Sequence, residues 1–226
     1  MKTAKAISNR IRTWKRGKVF FLSDFADLEN QPAVRKQLSR LCSNGEILRY
    51  GRGIYFYPVI DRKWRLGVIP ATNEAIARAY SQKKGIALFH SKAAAQNLLG
   101  LSTQNQMNTV YLTDGRARFI DTGIGNGITL LHTEDTRLSL FKDETMRLVA
   151  ITLHGEETDI INRKWQEILT ERLSSVPEDL FIHDIGLMSE KTRSIVLSCR
   201  KFTDIDASTT KSQVQSKSEP TGAGSA

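Results

Sequence analysis

In "TAKAISNRIRTWKR", residues 3–16, apolar Ile7, Ile11 and Trp14 recur at i, i+4 and i+7, and Lys5, Asn9, Arg12 and Lys15 fall elsewhere. That spacing predicts a helix with one buried stripe, stopped by Gly17. A short apolar run, "KVFFL", reads as a strand, and "SDFADL" as a short helix capped by Ser23 or Asp24. In "ENQPAVRKQLSRLCSNG", Val34, Leu38 and Leu41 repeat the same period. Pro32 suits the first turn of a helix, with Asn30 or Gln31 before it, and Asn44-Gly45 ends it. "EILRY" and "GIYFYP" then alternate as two strands around Gly51-Arg52-Gly53. Ile47, Ile54 and Phe56 are expected to pack inward, with the alternating positions facing out. Helix, strand, helix, helix and hairpin is the order of a winged helix-turn-helix over about residues 3–58.

Residues 61–72, "DRKWRLGVIPAT", read as a connector. Beyond it the pattern predicts a helix capped by Thr72 or Asn73, a strand at "IALFHS" and an Ala-rich helix closed by Gly100. Further strands are predicted at "NTVYLTDG", within "ARFIDTGIGNGITLLHT" and at "RLVAITLHG" (147–155). Two more helices follow, over 157–175 and over 189–202 with Ser189 as cap. From 203 the chain is nearly devoid of apolar residues, and a disordered tail is expected there. The predicted fold class is α+β: a winged-helix domain over 1–60, a mixed α/β domain over 66–202, and the tail 203–226.

Charge changes this picture more than overall composition does. Residues 1–65 hold 15 of the 33 Lys+Arg and only 5 of the 24 Asp+Glu, so the whole net charge of +9 lies in the first third of the chain. A local positive field attracts a polyanion, and nucleic acid is the common one. The third helix supplies the chemistry to read it. Opposite its apolar stripe stand Gln31, Arg35, Lys36, Ser39 and Arg40, with no Asp or Glu from Gln31 to Asn44. Arg bonds guanine edges bidentately, Gln bonds adenine, and Lys and Ser suit phosphates or either base. The competing reading is a solvated helix face, but such a face normally mixes both signs. Arg49, Tyr50 and Arg52 on the hairpin are expected to reach the backbone or minor groove. On the first helix, Lys5, Arg10, Arg12, Lys15 and Arg16 are candidates for phosphate contacts that fix register.

Signals for other chemistry are weak. The glycines of "TGIGNGI" (122–128) lie between strands, and Asn126-Gly127 marks a hairpin turn, whereas a nucleotide loop opens a helix. His90, His132, His154 and His183 have no partner at metal-ligand spacing, and Cys42 and Cys199 form no motif. No catalytic residue, metal site or cofactor is predicted. With no run of eighteen apolar residues and no signal-peptide core, a cytoplasmic protein without a membrane partner is expected.

The blocks "SDFADL…AVRKQLSRLCSNGEILRYGRGIYFYP", "ATNEAIARAY", "HSKAAAQNLLGLSTQ" and "NTVYLTDGRAR", in this order over about residues 3–135, resemble the AbiEi-like antitoxins of abortive-infection E systems in their short winged-helix form. The resemblance implies a winged helix that binds inverted repeats of double-stranded DNA in its own promoter and represses it. It also implies neutralisation of a nucleotidyltransferase toxin without a stable complex. Where the family pattern carries Pro-Ser-Gly, this chain has His90-Ser91-Lys92. Gln96, Asn97, Ser102, Thr103 and Gln104 stand as candidates for a pocket or partner surface, against a plainer role in capping and turn bonds. Three alternatives stay open: a stand-alone regulator from a mobile element, an interaction-only antitoxin acting through 66–202, and a winged-helix nuclease.

Overall fold

The computed structural model describes residues 2–104, 107–156 and 161–200. The protein is α+β, and its described residues form two compact units, one of 2–89 with 107–134 and one of 90–104 with 135–156 and 161–200. These units do not follow the expected division near residues 60–66. The predicted tail, from 203, lies outside the described residues.

The first unit opens with α1 (Lys2–Thr13), β1 (Lys18–Phe21), a single 3-10 turn (Leu22–Phe25) and α2 (Gln31–Ser43). The hairpin β2 (Leu48–Arg49) and β3 (Ile54–Tyr57) follows, and the three strands form a sheet in the order β1-β3-β2. This is the winged-helix topology, with a 3-10 turn in place of its second helix. Asp24 holds that turn by accepting from the Phe21 N–H at 2.8 Å. Asn30 caps α2 by accepting from Ala33 N–H at 3.0 Å. The stripes Ile7/Ile11 and Val34/Leu38/Leu41 close one core with Phe20, Phe25, Ile47 and Tyr55. Phe20 stacks on Tyr55 with ring centroids 5.5 Å apart.

The hairpin departs from the expected alternation. Tyr55 faces this core, but Ile54, Phe56 and Tyr50 enter a second core with Ile76, Ala77, Tyr80, Ile120, Ile128 and Leu130. β3 is therefore buried on both faces, which explains its unbroken apolar run. The second core is built by α3 (Asn73–Lys84) and by a four-stranded sheet in the order β6-β7-β9-β8. Its strands are β6 (Leu88–His90), β7 (Thr109–Thr113), β8 (Arg118–Ile120) and β9 (Ile128–His132). Thr72 caps α3, and β8–β9 is the hairpin expected around the Asn126-Gly127 turn.

The expected connector at 61–72 is instead a two-stranded ribbon, β4 (Val59–Asp61) paired antiparallel with β5 (Gly67–Ile69). Three residues per strand leave too little alternation for periodicity to detect.

The second unit is helical: α4 (Lys92–Leu99), α5 (Glu144–Leu153), α6 (Arg163–Ser174), α7 (Glu178–Ile185) and α8, helical over 190–200. α5 packs against α4, α6 and α7. It replaces the strand expected at 147–155. Met146, Leu148, Val149, Ile151, Thr152 and Leu153 are all buried, and a helix apolar on every side reads like a buried strand. Asp143 caps it, accepting from Met146 N–H at 2.9 Å. Fully buried Asp184 fixes that cap, accepting from the N–H groups of Lys142 (3.0 Å) and Asp143 (2.8 Å). Burial pushes the Asp184 carboxyl up, but these N–H groups and His183 together hold it below the usual carboxylate range. Of the helix expected over 157–175, α6 begins at Arg163 behind the Asn162 cap; residues 157–160 lie outside the described residues. Ser189 caps α8 as expected, accepting from Thr192 N–H at 3.2 Å.

Candidate nucleic-acid interface

α2 is amphipathic because its capped, Pro-started frame turns Val34, Leu38 and Leu41 to the core and Arg35, Lys36, Ser39 and Arg40 to solvent. Arg35 and Ser39, one turn apart, form one wall of a groove of about 430 Å³. Arg49 and Arg52 from the hairpin form the other, with Tyr55 and Cys42 at its base. Lys36 and Arg40 stand exposed on the same helix, also one turn apart. The Arg49 Nε–H donates to the Gly51 carbonyl at 3.2 Å, which steadies the hairpin turn. Arg52 projects from that turn and is exposed.

The charge in this groove is uncompensated. Among the described residues, Arg35, Lys36, Arg40, Arg49 and Arg52 form no ion pair, and no carboxylate lines the groove. Cations elsewhere in the unit behave differently. Arg10 is clamped bidentately by Asp27 at 2.6 Å and donates to the Asp24 carbonyl at 2.9 Å. Arg78 pairs with Glu74 at 2.7 Å, and Lys83 with Asp24. The Asp27 carboxyl is lowered chiefly by its bonds to Arg10, so Arg10 serves the fold. In the groove, burial pushes the Cys42 thiol up against the opposing pull of Arg49, so the thiol stays neutral near pH 7.

Two of the sequence-predicted residues, Tyr50 and Gln31, do not line this groove, although Gln31 borders a wider one beside Arg52. Tyr50 is buried in the second core, and its hydroxyl accepts the Ala71 N–H at 3.0 Å. An aromatic with one polar tip fits either a binding surface or a satisfied core, and here the core takes it. Gln31 uses its amide to hold the turn before α2, donating to the carbonyls of Phe25 (2.9 Å) and Leu28 (2.8 Å). Lys5 and Arg12 are exposed on α1. Arg12 lines a separate groove of about 290 Å³ with Arg16, beside the C-terminal end of α2.

Sequence reasoning missed the basic neighbours of Arg52. Arg52 also borders a wider groove of about 810 Å³ whose lining includes Lys83, Lys84, Arg118 and Phe119. Arg118 donates to the Tyr80 hydroxyl at 3.0 Å, and Phe119 is exposed. The signal was present in "QKKG" and "GRARF", but only the fold brings these segments to the wing. The polar residues at the end of α4 and just beyond it bond to one another: Asn97 donates to the Gln104 carbonyl at 2.8 Å, and Gln104 N–H donates to the Ser102 hydroxyl at 3.2 Å. Among the described residues no group of three or more His, Cys, Asp or Glu is placed to hold a metal ion, and no helix is long and apolar enough to cross a membrane.

No curated protein and no solved structure matches the chain. A family model does, over residues 6–176, an extent that takes in the groove-forming helix, the hairpin and α3 to α6; its description is "Family of unknown function (DUF6088)", and the chain belongs to that family.

Proposed function

We propose that the protein is a DNA-binding transcriptional repressor acting on its own promoter. The observation that carries this reading is the convergence of Arg35, Ser39, Arg49 and Arg52 on one groove without a carboxylate. In this reading α2 enters the major groove, where Arg35, Ser39 and Arg40 meet base edges and Lys36 meets phosphate. Arg49 and Arg52 contact the backbone from the wing, and Arg12 with Lys5 contacts phosphates further along α1.

A mobility-shift assay of the full chain on the DNA upstream of its gene tests this, against a random duplex of equal length. The variant Arg35→Ala with Arg40→Ala is expected to lose sequence preference and at least about tenfold in affinity. Each lost phosphate contact flattens the salt slope by about one unit. Unchanged affinity and preference in that variant would show that α2 is not the reading element. The resemblance to AbiEi-like antitoxins extends the proposal to neutralisation of a nucleotidyltransferase toxin. Co-expression with an adjacent toxin gene tests that extension separately, and growth arrest despite the full chain would sink it.

A further inference from the structure

The ribbon β4–β5 lines no part of the α2–wing groove, yet most of it is exposed. Residues 62–70 are exposed without interruption. Its loop, Arg62-Lys63-Trp64-Arg65-Leu66, carries three cations around two apolar side chains. Trp64 is 74% exposed and Leu66 69%. Apolar side chains grouped on an exposed loop and rimmed by charged residues are the kind of patch that marks an interaction site.

The base of the ribbon is fixed, and at its exposed tip the Lys63 ammonium lies 5.4 Å over the Trp64 ring. At the β4 end, Arg16 donates to the Pro58 carbonyl at 2.8 Å and lies over the Tyr57 ring at 4.5 Å. At the β5 end, the Ala71 N–H is held by the Tyr50 hydroxyl. Within the loop, the Asp61 carboxylate accepts the N–H groups of Lys63 (2.9 Å) and Trp64 (3.1 Å). Asp61 therefore shapes the turn, and Arg62, Lys63 and Arg65 form no ion pair among the described residues. Arg65 adopts φ 57°, a left-handed conformation that disfavours a non-glycine residue.

We propose that this ribbon is a second DNA-contacting arm, with Arg62, Lys63 and Arg65 on phosphates and Trp64 wedged against a base step between them. The inference rests on the DNA-binding reading of the α2 groove. A two-stranded ribbon is narrow enough to enter a groove, and an apolar tip flanked by cations is the composition that wedges base steps. A second copy of the chain fits the same surface less well. The apolar residues of the strands face one another across the ribbon, Val59 with Ile69 and Ile60 with Val68, and are less exposed than Trp64 and Leu66. The barest apolar side chains lie among the cations, so an isologous contact there would set like charges together.

The test uses the full chain, the upstream duplex and a random duplex of equal length, with binding followed across a salt series. Arg62→Ala/Lys63→Ala/Arg65→Ala is expected to flatten the salt slope by about two to three units on both duplexes. Trp64→Ala is expected to weaken binding about tenfold and to reduce DNA bending read by end-to-end energy transfer. Both variants should melt like the parent, since these side chains contribute little packing. If the triple variant keeps the parent slope while Arg35→Ala/Arg40→Ala loses binding, the arm is wrong and the groove reading stands. If the triple variant loses slope while Arg35→Ala/Arg40→Ala binds normally, the arm stands and the groove reading fails. Two outcomes overturn the arm in other ways. One is a concentration-dependent dimer in sedimentation that Trp64→Ala abolishes without changing DNA binding. The other is no DNA binding by the parent chain, which removes both readings.

Discussion

Two basic β-hairpins follow one another in this chain, and they have opposite fates. The wing, β2–β3, puts Tyr55 into one core and Ile54 and Phe56 into another, and leaves only its arginines outside. The ribbon, β4–β5, buries neither face. Both hairpins contain glycine at positive φ, Gly51 and Gly53 in the wing turn and Gly67 at the start of β5, but the surroundings differ. A Cβ at Gly51 (φ +72°) would collide with the Asp121 carbonyl oxygen, whereas one at Gly67 (φ +71°) would meet nothing within 4 Å. One hairpin is a wall between two cores that presents arginines; the other is an arm held only at its base. The comparison teaches that glycine and arginine content does not distinguish a packed wing from a free arm. What the other face of the strand meets does.

The largest effect expected from this difference is on stability. Gly51→Ala adds a backbone clash to the left-handed cost and should destabilise the protein by roughly 3 kcal/mol. Gly67→Ala carries only the conformational cost, about 1 kcal/mol. Urea melts of the two variants measure the gap directly. Equal midpoints would mean that the wing turn is not seated against Asp121.

A smaller effect separates structure from binding within the wing. Tyr50→Phe removes the hydroxyl that accepts the Ala71 N–H and leaves that donor unpaired at a buried site, costing about 1–2 kcal/mol. DNA affinity measured well below the melting temperature should change less than twofold. Arg52→Ala should do the reverse, with an unchanged melt and about a one-unit loss of salt slope. If Tyr50→Phe instead impaired binding at full stability, the sequence-based placement of Tyr50 on the DNA surface would regain its force.

Much of this was readable before the fold was known. The caps at Asn30, Thr72 and Ser189 and the stop at Asn44-Gly45 follow from local chemistry, and local chemistry is what a sequence displays. The cationic face of α2 was legible for the same reason: one helix carried it, and no acid interrupted it. What escaped depended on distant segments. "IYFY" looks the same whether one face or both are covered, and only α3 and the β6–β9 sheet decide that both are. Tyr50 and Gln31 carry polar groups that satisfy backbone partners 21 and 3 to 6 residues away, a use that residue type alone does not announce. α5 was missed because a fully buried helix loses the polar face that would reveal its period. Lys84 and Arg118 reach the neighbourhood of Arg52 only through tertiary packing.

The smallest effect sharpens the comparison at the ribbon tip. Arg65 is the only non-glycine residue at positive φ among those described, and nothing in the ribbon compensates the cost by burying its side chain. Arg65→Gly should therefore raise stability slightly, by about 0.5–1 kcal/mol, because relief of the left-handed conformation outweighs the added freedom of the unfolded chain. If the arm contacts DNA, the same variant should lose about one unit of salt slope, so stability and binding move in opposite directions. Arg65→Asn provides the control for the charge, because Asn tolerates the left-handed region without a cation. The two variants should bind alike. A binding loss confined to Arg65→Gly would instead point to loop flexibility, and would mean that the tip acts through its shape rather than through the Arg65 charge.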